Sequence, residues 1–505
     1  MNLHSVNSRN RTIMLIFALI YMIVNTIVVI LVCNTEFISI YDRIEWNTKI
    51  ILIISGLCFG GFFFVLRFIH TLSIKKLFLL FLIIRVLFLY CFIVFNYGVE
   101  YKDYYFYSLI PPHVLNGDIF TPYIGSWQVE AWRSFPPMFI WWYTYNYWVY
   151  GLNEILWRFV NLLLEVGIVY VIIQIFHENS ATEKGWKEEN FKIGLSLYIF
   201  SFIPIVVILL YASMTAFPVL LSLLGLLYFF RSKKNPKYLY YAVFFFGLAT
   251  LTEGYAVFWL LVILVTVLFK KHFRQLFLLI GEIVAIFCLV SLPFLINDAI
   301  GYLHHYSFIF QMESVNWDGS IFVINFGLFN WPSSINYIPW AIALIISLFY
   351  IYKSYRFEIS LDLFIVIASI FLLFGPGFSP KGFLWICAFI SLNIIYSFRK
   401  FLITNLFFWG YFLFFILWLV SAYLTYTGEI FPWLAYVEIF LNWMPSMGYF
   451  TILPLIVHTT YQMGFIYLIY AYTKSKKLVL GLLIPFLIYY IFNICMPANS
   501  IFTPY

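Results

Sequence analysis

The sequence predicts an all-α fold, a polytopic transmembrane helical bundle of about 13–15 spanning helices. Three observations lead there. Of its 505 residues, 64 % are hydrophobic and 10 % charged, with a mean hydropathy of +0.94. Soluble domains are roughly half apolar and about a quarter charged. Apolar runs close to the ~20 residues that one crossing needs recur from Thr12 to Met496. The basic residues sit in short loops between those runs, as orientation in a membrane requires.

Taken in order, the apolar stretches predict crossings near 12–33, 50–69, 75–97, 154–176, 193–211, 214–230, 238–253, 255–269, 275–296, 335–352, 359–375, 383–398, 401–423, 449–473 and 478–496. The first, Ile13–Val32, is too long for a signal-peptide core and lacks a small-residue cleavage site, so it reads as a retained helix. The pair over 238–269 is short for two crossings, and 136–150 reads as re-entrant or interfacial. Residues 1–74 form an N-terminal two-helix extension, 75–400 the core with its loop 97–137, and 401–505 the C-terminal helices.

Charge sets the orientation. With the N-terminus cytoplasmic, every Lys and Arg falls in or beside an inner loop except Arg43, Lys49, Arg85, Lys102, Arg133, Arg158 and Lys381. The net charge of +7 is spread over those loops and gathers on no one face, which argues against a nucleic-acid partner. The inner loops are short, and the chain has neither a GxxxxGK[ST] nor a GxGxxG motif, so a cytoplasmic nucleotide-driven activity is not expected. The six cysteines, at 33, 58, 91, 288, 387 and 495, form no CxxC or zinc-type cluster and read as small packing residues.

The polar chemistry gathers on the face predicted to lie outside. Loop 97–137 carries Glu100, Asp103, Asp118 and Glu130 with Lys102 and Arg133. So many acids in one loop of a chain this poor in charge mark a candidate site. A second outer loop, 297–334, carries Asp298, His304, His305, Glu313 and Asp318. The turn GPGFSPKGF spans 375–383, and a third stretch, 424–448, carries Glu429 and Glu438. The aromatic run from Phe139 to Trp148 reads as an interfacial helix, with stacking on sugar rings as the sharper alternative. Within the spans, Arg85 and Glu165 lie on helices that flank the acidic loop and are expected to pair, because an intramembrane charge needs a partner. Glu253 and Glu282 also lie within the membrane or at its boundary, with no partner evident from the sequence.

Five segments in order resemble the GT-C superfamily of membrane glycosyltransferases. They are Val99-Glu100-Tyr101-Lys102-Asp103-Tyr104-Tyr105, Leu115-Asn116-Gly117-Asp118-Ile119-Phe120-Thr121-Pro122-Tyr123, Phe135-Pro136-Pro137-Met138, Leu156-Trp157-Arg158-Phe159-Val160-Asn161 continuing to Glu165, and Phe378-Ser379-Pro380-Lys381-Gly382-Phe383-Leu384-Trp385. The chain departs from the pattern in three places. It reads Tyr211-Ala212-Ser213-Met214 where a polar pair is frequent, Thr252-Glu253-Gly254 where a lysine is common, and Lys381 in place of a frequent glutamine.

The resemblance implies a GT-C-type bundle with juxtamembrane loop helices. It implies an inverting glycosyltransferase that moves a hexose, mannose among the candidates, from a polyprenyl-phosphate carrier to a glycan, lipid or protein acceptor outside the cell membrane. Such transfer needs a carboxylate to take the acceptor proton and cationic groups for the departing phosphate. Asp103, about six residues past its helix, is placed as the base. Glu100 lies one turn earlier, and the two could hold a divalent cation such as Mg or Mn. Lys381, Arg133, His304 and His305 are the phosphate-side candidates. The alternative function is a multi-pass lipid or solute transporter or flippase, in which Arg85, Glu165, Glu253 and Glu282 would line a pathway. No internal repeat of the kind common in transporters is visible.

Overall fold

The computed structural model describes residues 42–94, 110–116, 137–180, 188–210, 212–311, 337–354, 360–374, 380–392 and 466–484. The predicted crossings at 12–33 and 401–423, most of loop 97–137, residues 312–334 of the second outer loop and all of 424–448 lie outside the described residues. Among those described there is no strand. The helices are α1 (Asp42–Phe68), α2 (Ile74–Val94), α3 (Pro137–Tyr150), α4 (Glu154–Ser180), α5 (Glu188–Ile199), α6 (Ala216–Ser232), α7 (Tyr238–Thr252), α8 (Val257–Phe269), α9 (Phe273–Gln311), α10 (Tyr337–Ser354), α11 (Leu361–Phe374) and α12 (Pro380–Leu392). Short helical pieces at 110–115, 466–473 and 476–484 complete the described part.

Among the described residues, four helical stretches are long and apolar enough to cross a bilayer: Ile74–Val94, Glu154–Asn179, Glu188–Leu210 and Phe273–Ile296. Shorter apolar helices surround them. The chain is therefore an all-helical membrane protein, as its composition predicts. The packing is tight where small residues sit. A Cβ on Gly225 of α6 would meet the Phe246 ring of α7 at 2.9 Å, and one on Gly167 of α4 would meet Leu220 of α6 at 3.1 Å. Glycine at these points lets α6 lie close to both neighbours.

Three boundaries differ from the sequence reading, each for a physical reason. The predicted crossing 193–211 is a helix interrupted twice. After α5 the backbone extends at Ser201 (φ −70, ψ 127), restarts over Phe202–Pro204, runs as a π-helical turn over Ile205–Leu210, and then turns through Ala212 at φ 52. Pro204 has no N–H to continue the ladder, so a break just before it follows from its chemistry. The predicted outer loop 297–334 begins as helix, because α9 continues past Pro293 to Gln311. Hydropathy locates where a helix leaves lipid, not where it ends. Similarly, the turn predicted over 375–383 is already helical from Pro380, a residue favoured in a first helical turn.

The two ends of the bundle differ. At one end, Glu178 of α4 binds Arg231 at 3.1 Å and Lys234 at 2.9 Å, His70 meets Glu189 at 3.1 Å, and the Phe269 and Tyr352 rings pack edge to face at 5.3 Å. The turns there carry Lys233, Lys237, Lys270, Lys271 and Arg274. The opposite, loop end holds 110–116, α3 and the turns at 151–153, 212–215 and 252–256.

Candidate functional site

The described part of the acidic loop is the segment 110–116. Its Ile110 is fully buried and its Val114 is buried, in an aromatic cluster with Phe139, Ile140 and Tyr143 of α3, Trp157 of α4, Ala212 and Met214, and Phe294 and Tyr302 of α9. Segments from widely separated parts of the chain therefore meet under the loop. The α3–α4 corner that shapes this floor is locally encoded. Gly151 adopts φ 62 and closes α3 through its N–H to Tyr147 O at 2.8 Å. Asn153 then caps α4, its Oδ1 accepting the N–H groups of Ile155 and Leu156 at 3.0 Å each.

Indole donors fasten α3 to its surroundings. Trp141 Nε1 donates to Val290 O at 3.0 Å. Trp142 Nε1 points at Met214 Sδ at 2.9 Å, and its ring stacks on Phe217 with centroids 4.1 Å apart. One face of α3 is buried at Phe139, Ile140, Tyr143 and Asn146, while Tyr145 and Trp148 are exposed. That is the two-sided helix expected at an interface.

Beneath the cluster, α4 takes up the carbonyls freed by the broken helix. Trp157 Nε1 and Asn161 Nδ2 both donate to Ala212 O, each at 3.0 Å. Arg158 Nη1 donates to Leu209 O and, at 3.1 Å, to Leu210 O. Ser213 N closes back on Val207 O at 2.9 Å, and its hydroxyl lies 3.1 Å from that of Thr215. In lipid no water would satisfy these groups, so the turn persists only because side chains reach it. The Trp-Arg-x-x-Asn spacing of α4 thus has a role that sequence reasoning missed. Its signal was three hydrogen-bonding side chains at i, i+1 and i+4 near the start of an apolar helix.

The first interruption is held the same way from α2. Arg85 and Glu165 form the expected pair, Nε to Oε1 at 2.8 Å, with both side chains fully buried. Arg85 also donates to Ile199 O at 2.9 Å and Tyr198 O at 3.5 Å, the last carbonyls of α5. Glu253, whose partner the sequence did not name, accepts from Trp385 Nε1 at 3.0 Å. Glu282 lies on α9, and its Oε2 is buried with no hydrogen-bond partner among the described residues.

Asp103, Glu100 and Arg133, with Asp118 and Glu130, lie outside the described residues. Lys381 stands in the first turn of α12, and His304 and His305 on α9, eight and nine residues beyond Ile296, where the apolar span ends. Among the described residues no group of three or more His, Cys, Asp or Glu converges.

No protein-family model matches the chain, and no curated protein matches it. Among solved structures, the crystal structure of ArnT from Cupriavidus metallidurans bound to undecaprenyl phosphate is similar over 79 % of this chain and 76 % of that one, with 14 % identity and a TM-score of 0.41.

Proposed function

We propose that the chain is a GT-C-type membrane glycosyltransferase. It moves a hexose, mannose being one candidate, from a polyprenyl-phosphate carrier to a glycan, lipid or protein acceptor on the outer face of the cell membrane. The observation that carries this reading is the convergence at the loop end. Segment 110–116, the helix opening at Pro137, Trp157 of α4 and the 212–214 turn share one buried cluster, and Trp385 joins the neighbouring 253 turn. These are the regions whose residues resemble the superfamily, together with two of the places where the chain departs from it.

In this mechanism Asp103 takes the proton of the acceptor hydroxyl as its oxygen bonds to the anomeric carbon. The bond from that carbon to the carrier phosphate breaks on the opposite face, so the configuration inverts. Lys381, Arg133, His304 and His305 are the groups proposed to meet the charge that develops on the leaving phosphate. Glu100, three residues earlier in the sequence, is the residue proposed to pair with Asp103 in holding a divalent cation.

A transport pathway finds less support. Arg85 and Glu165 are fully buried and bound to each other, and Glu253 is held by Trp385. Three of the four intramembrane charges that a pathway would use are committed to holding helices together.

The test uses membranes carrying the full-length chain and a labelled polyprenyl-phosphate hexose. Wild type is expected to label an endogenous acceptor, and Asp103→Ala to slow labelling by about a hundredfold or more at unchanged protein level. Unaltered transfer by Asp103→Ala removes the assigned base. No transfer by wild type with any hexose donor removes the reading.

A further inference from the structure

The turn between α8 and α9 carries Lys270 and Lys271, with Arg274 in the first turn of α9, and Lys237 immediately precedes α7. α7 packs along α9, where a Cβ on Gly247 would meet Ile286 Cδ1 at 3.2 Å. Tyr238 precedes Gly247 by nine residues and Phe277 precedes Ile286 by nine, so the start of α7 stands level with Phe277. All four cations are exposed, and among the described residues none of their side chains has an ion-pair partner. Arg231 and Lys234, by contrast, share Glu178.

Two features set this turn apart from a basic turn that only fixes orientation. The first is backbone strain. Lys271 closes α8 in the left-handed region, at φ 60, with its N–H on Leu268 O at 2.9 Å and the His272 N–H on Val267 O at 3.2 Å. Glycine fills such a position without a steric penalty, and a lysine there does not. Lys270 and Arg274 already supply the charge that insertion reads, so orientation does not call for this third cation. The second feature is the apolar surface beside the charge. Phe273 and Phe277 share a face of α9 and are 53 % and 72 % exposed, where the apolar stretch Phe273–Ile296 begins. Uncommitted cations at a membrane surface, next to lipid-facing rings, match an anion that carries hydrocarbon. We propose that this turn binds the phosphate headgroup of an anionic phospholipid, with its acyl chains along Phe273 and Phe277. Lys270, Lys271 and Arg274 meet the phosphate, and Lys237 adds its charge from the neighbouring turn. This site is independent of the glycosyltransferase reading.

The test follows the thermal midpoint of the full-length chain in dodecyl maltoside micelles as dioleoylphosphatidylglycerol or dioleoylphosphatidylcholine is added. Phosphatidylglycerol is expected to raise the midpoint saturably and phosphatidylcholine to leave it unmoved. No rise with phosphatidylglycerol overturns the site, and so does a rise reproduced by inorganic phosphate, which has no acyl chain. The triple variant Lys270→Gln, Lys271→Gln, Arg274→Gln is expected to need at least about tenfold more phosphatidylglycerol for the same shift. Removing equal charge through Lys474→Gln, Lys476→Gln and Lys477→Gln is expected to change that need by less than about twofold. Equal losses in the two triple variants mean diffuse attraction and overturn the site. Should the first triple variant fail to fold, Lys271→Gly decides. It is expected to raise the lipid-free midpoint, because it removes the Cβ at φ 60, and to weaken the phosphatidylglycerol effect. A phosphatidylglycerol effect unaltered in Lys271→Gly overturns the proposal.

Discussion

Arg85 shows how one side chain can be worth more in this chain than its charge. Its guanidinium satisfies Glu165 and two carbonyls at the end of α5, with no exposure of either partner. A buried charge left alone is costly, so Arg85→Ala is expected to destabilise the protein by about 3–5 kcal/mol, read as a drop in thermal midpoint in detergent micelles. Replacing both partners by apolar residues removes the stranded carboxylate but not the stranded carbonyls. Arg85→Met with Glu165→Leu should therefore recover part of the loss and not all of it. Full recovery would mean that the carbonyl bonds count for little. The half-buried network of Glu178 with Arg231 and Lys234 lies within reach of water. There Glu178→Ala is expected to cost no more than about 1 kcal/mol, because water screens the pair.

At the scale of elements, the interruptions between α5 and α6 decide the shape of the bundle beneath the loop. Ala212 O accepts from Trp157 and from Asn161, so either donor can be lost while the carbonyl stays satisfied. Trp157→Phe and Asn161→Leu are each expected to cost about 0.5–1.5 kcal/mol, and together more than their sum, since only the double variant leaves that oxygen bare in an apolar interior. Strict additivity in thermal midpoints would refute this shared capture. Ala212 itself, at φ 52, carries a Cβ where the backbone favours none. Ala212→Gly should leave the midpoint unchanged or raise it, and Ala212→Val should lower it. Much of this was legible in the sequence and some was not. The Arg85–Glu165 pair was, because lone charges in apolar spans must find each other. The double break was not, because hydropathy over 193–211 is uniform and records burial without backbone path; Pro204 and the Ala212-Ser213 pair were the only local cues. The helical stretch 297–311 was missed for the related reason that a polar helix beyond the membrane reads like a loop. The Glu253–Trp385 bond joins residues 132 positions apart, which no spacing rule could pair.

For the whole molecule the governing asymmetry is between its two ends. Lysines and arginines crowd the turns that hold Glu178, His70 and Phe269. The opposite end gathers aromatic side chains around segment 110–116, and that segment belongs to the acidic loop. A basic turn is retained on the cytoplasmic side during insertion, and the bias here is repeated at almost every predicted inner turn, so the orientations reinforce one another. The loop end, with Asp103 in its loop, is then expected outside the cell. Two single substitutions read this directly with a membrane-impermeant maleimide. Leu152, 54 % exposed in the turn between α3 and α4, reports the loop end as Leu152→Cys. Lys476, exposed at the start of helix 476–484, reports the other end as Lys476→Cys. Measured against the parent chain to account for its native thiols, Leu152→Cys should be labelled in intact cells, and Lys476→Cys only after permeabilisation. The reverse pattern would turn the bundle over and put the acidic loop in the cytoplasm. The acceptor would then have to be a cytoplasmic one, whatever Asp103 does chemically.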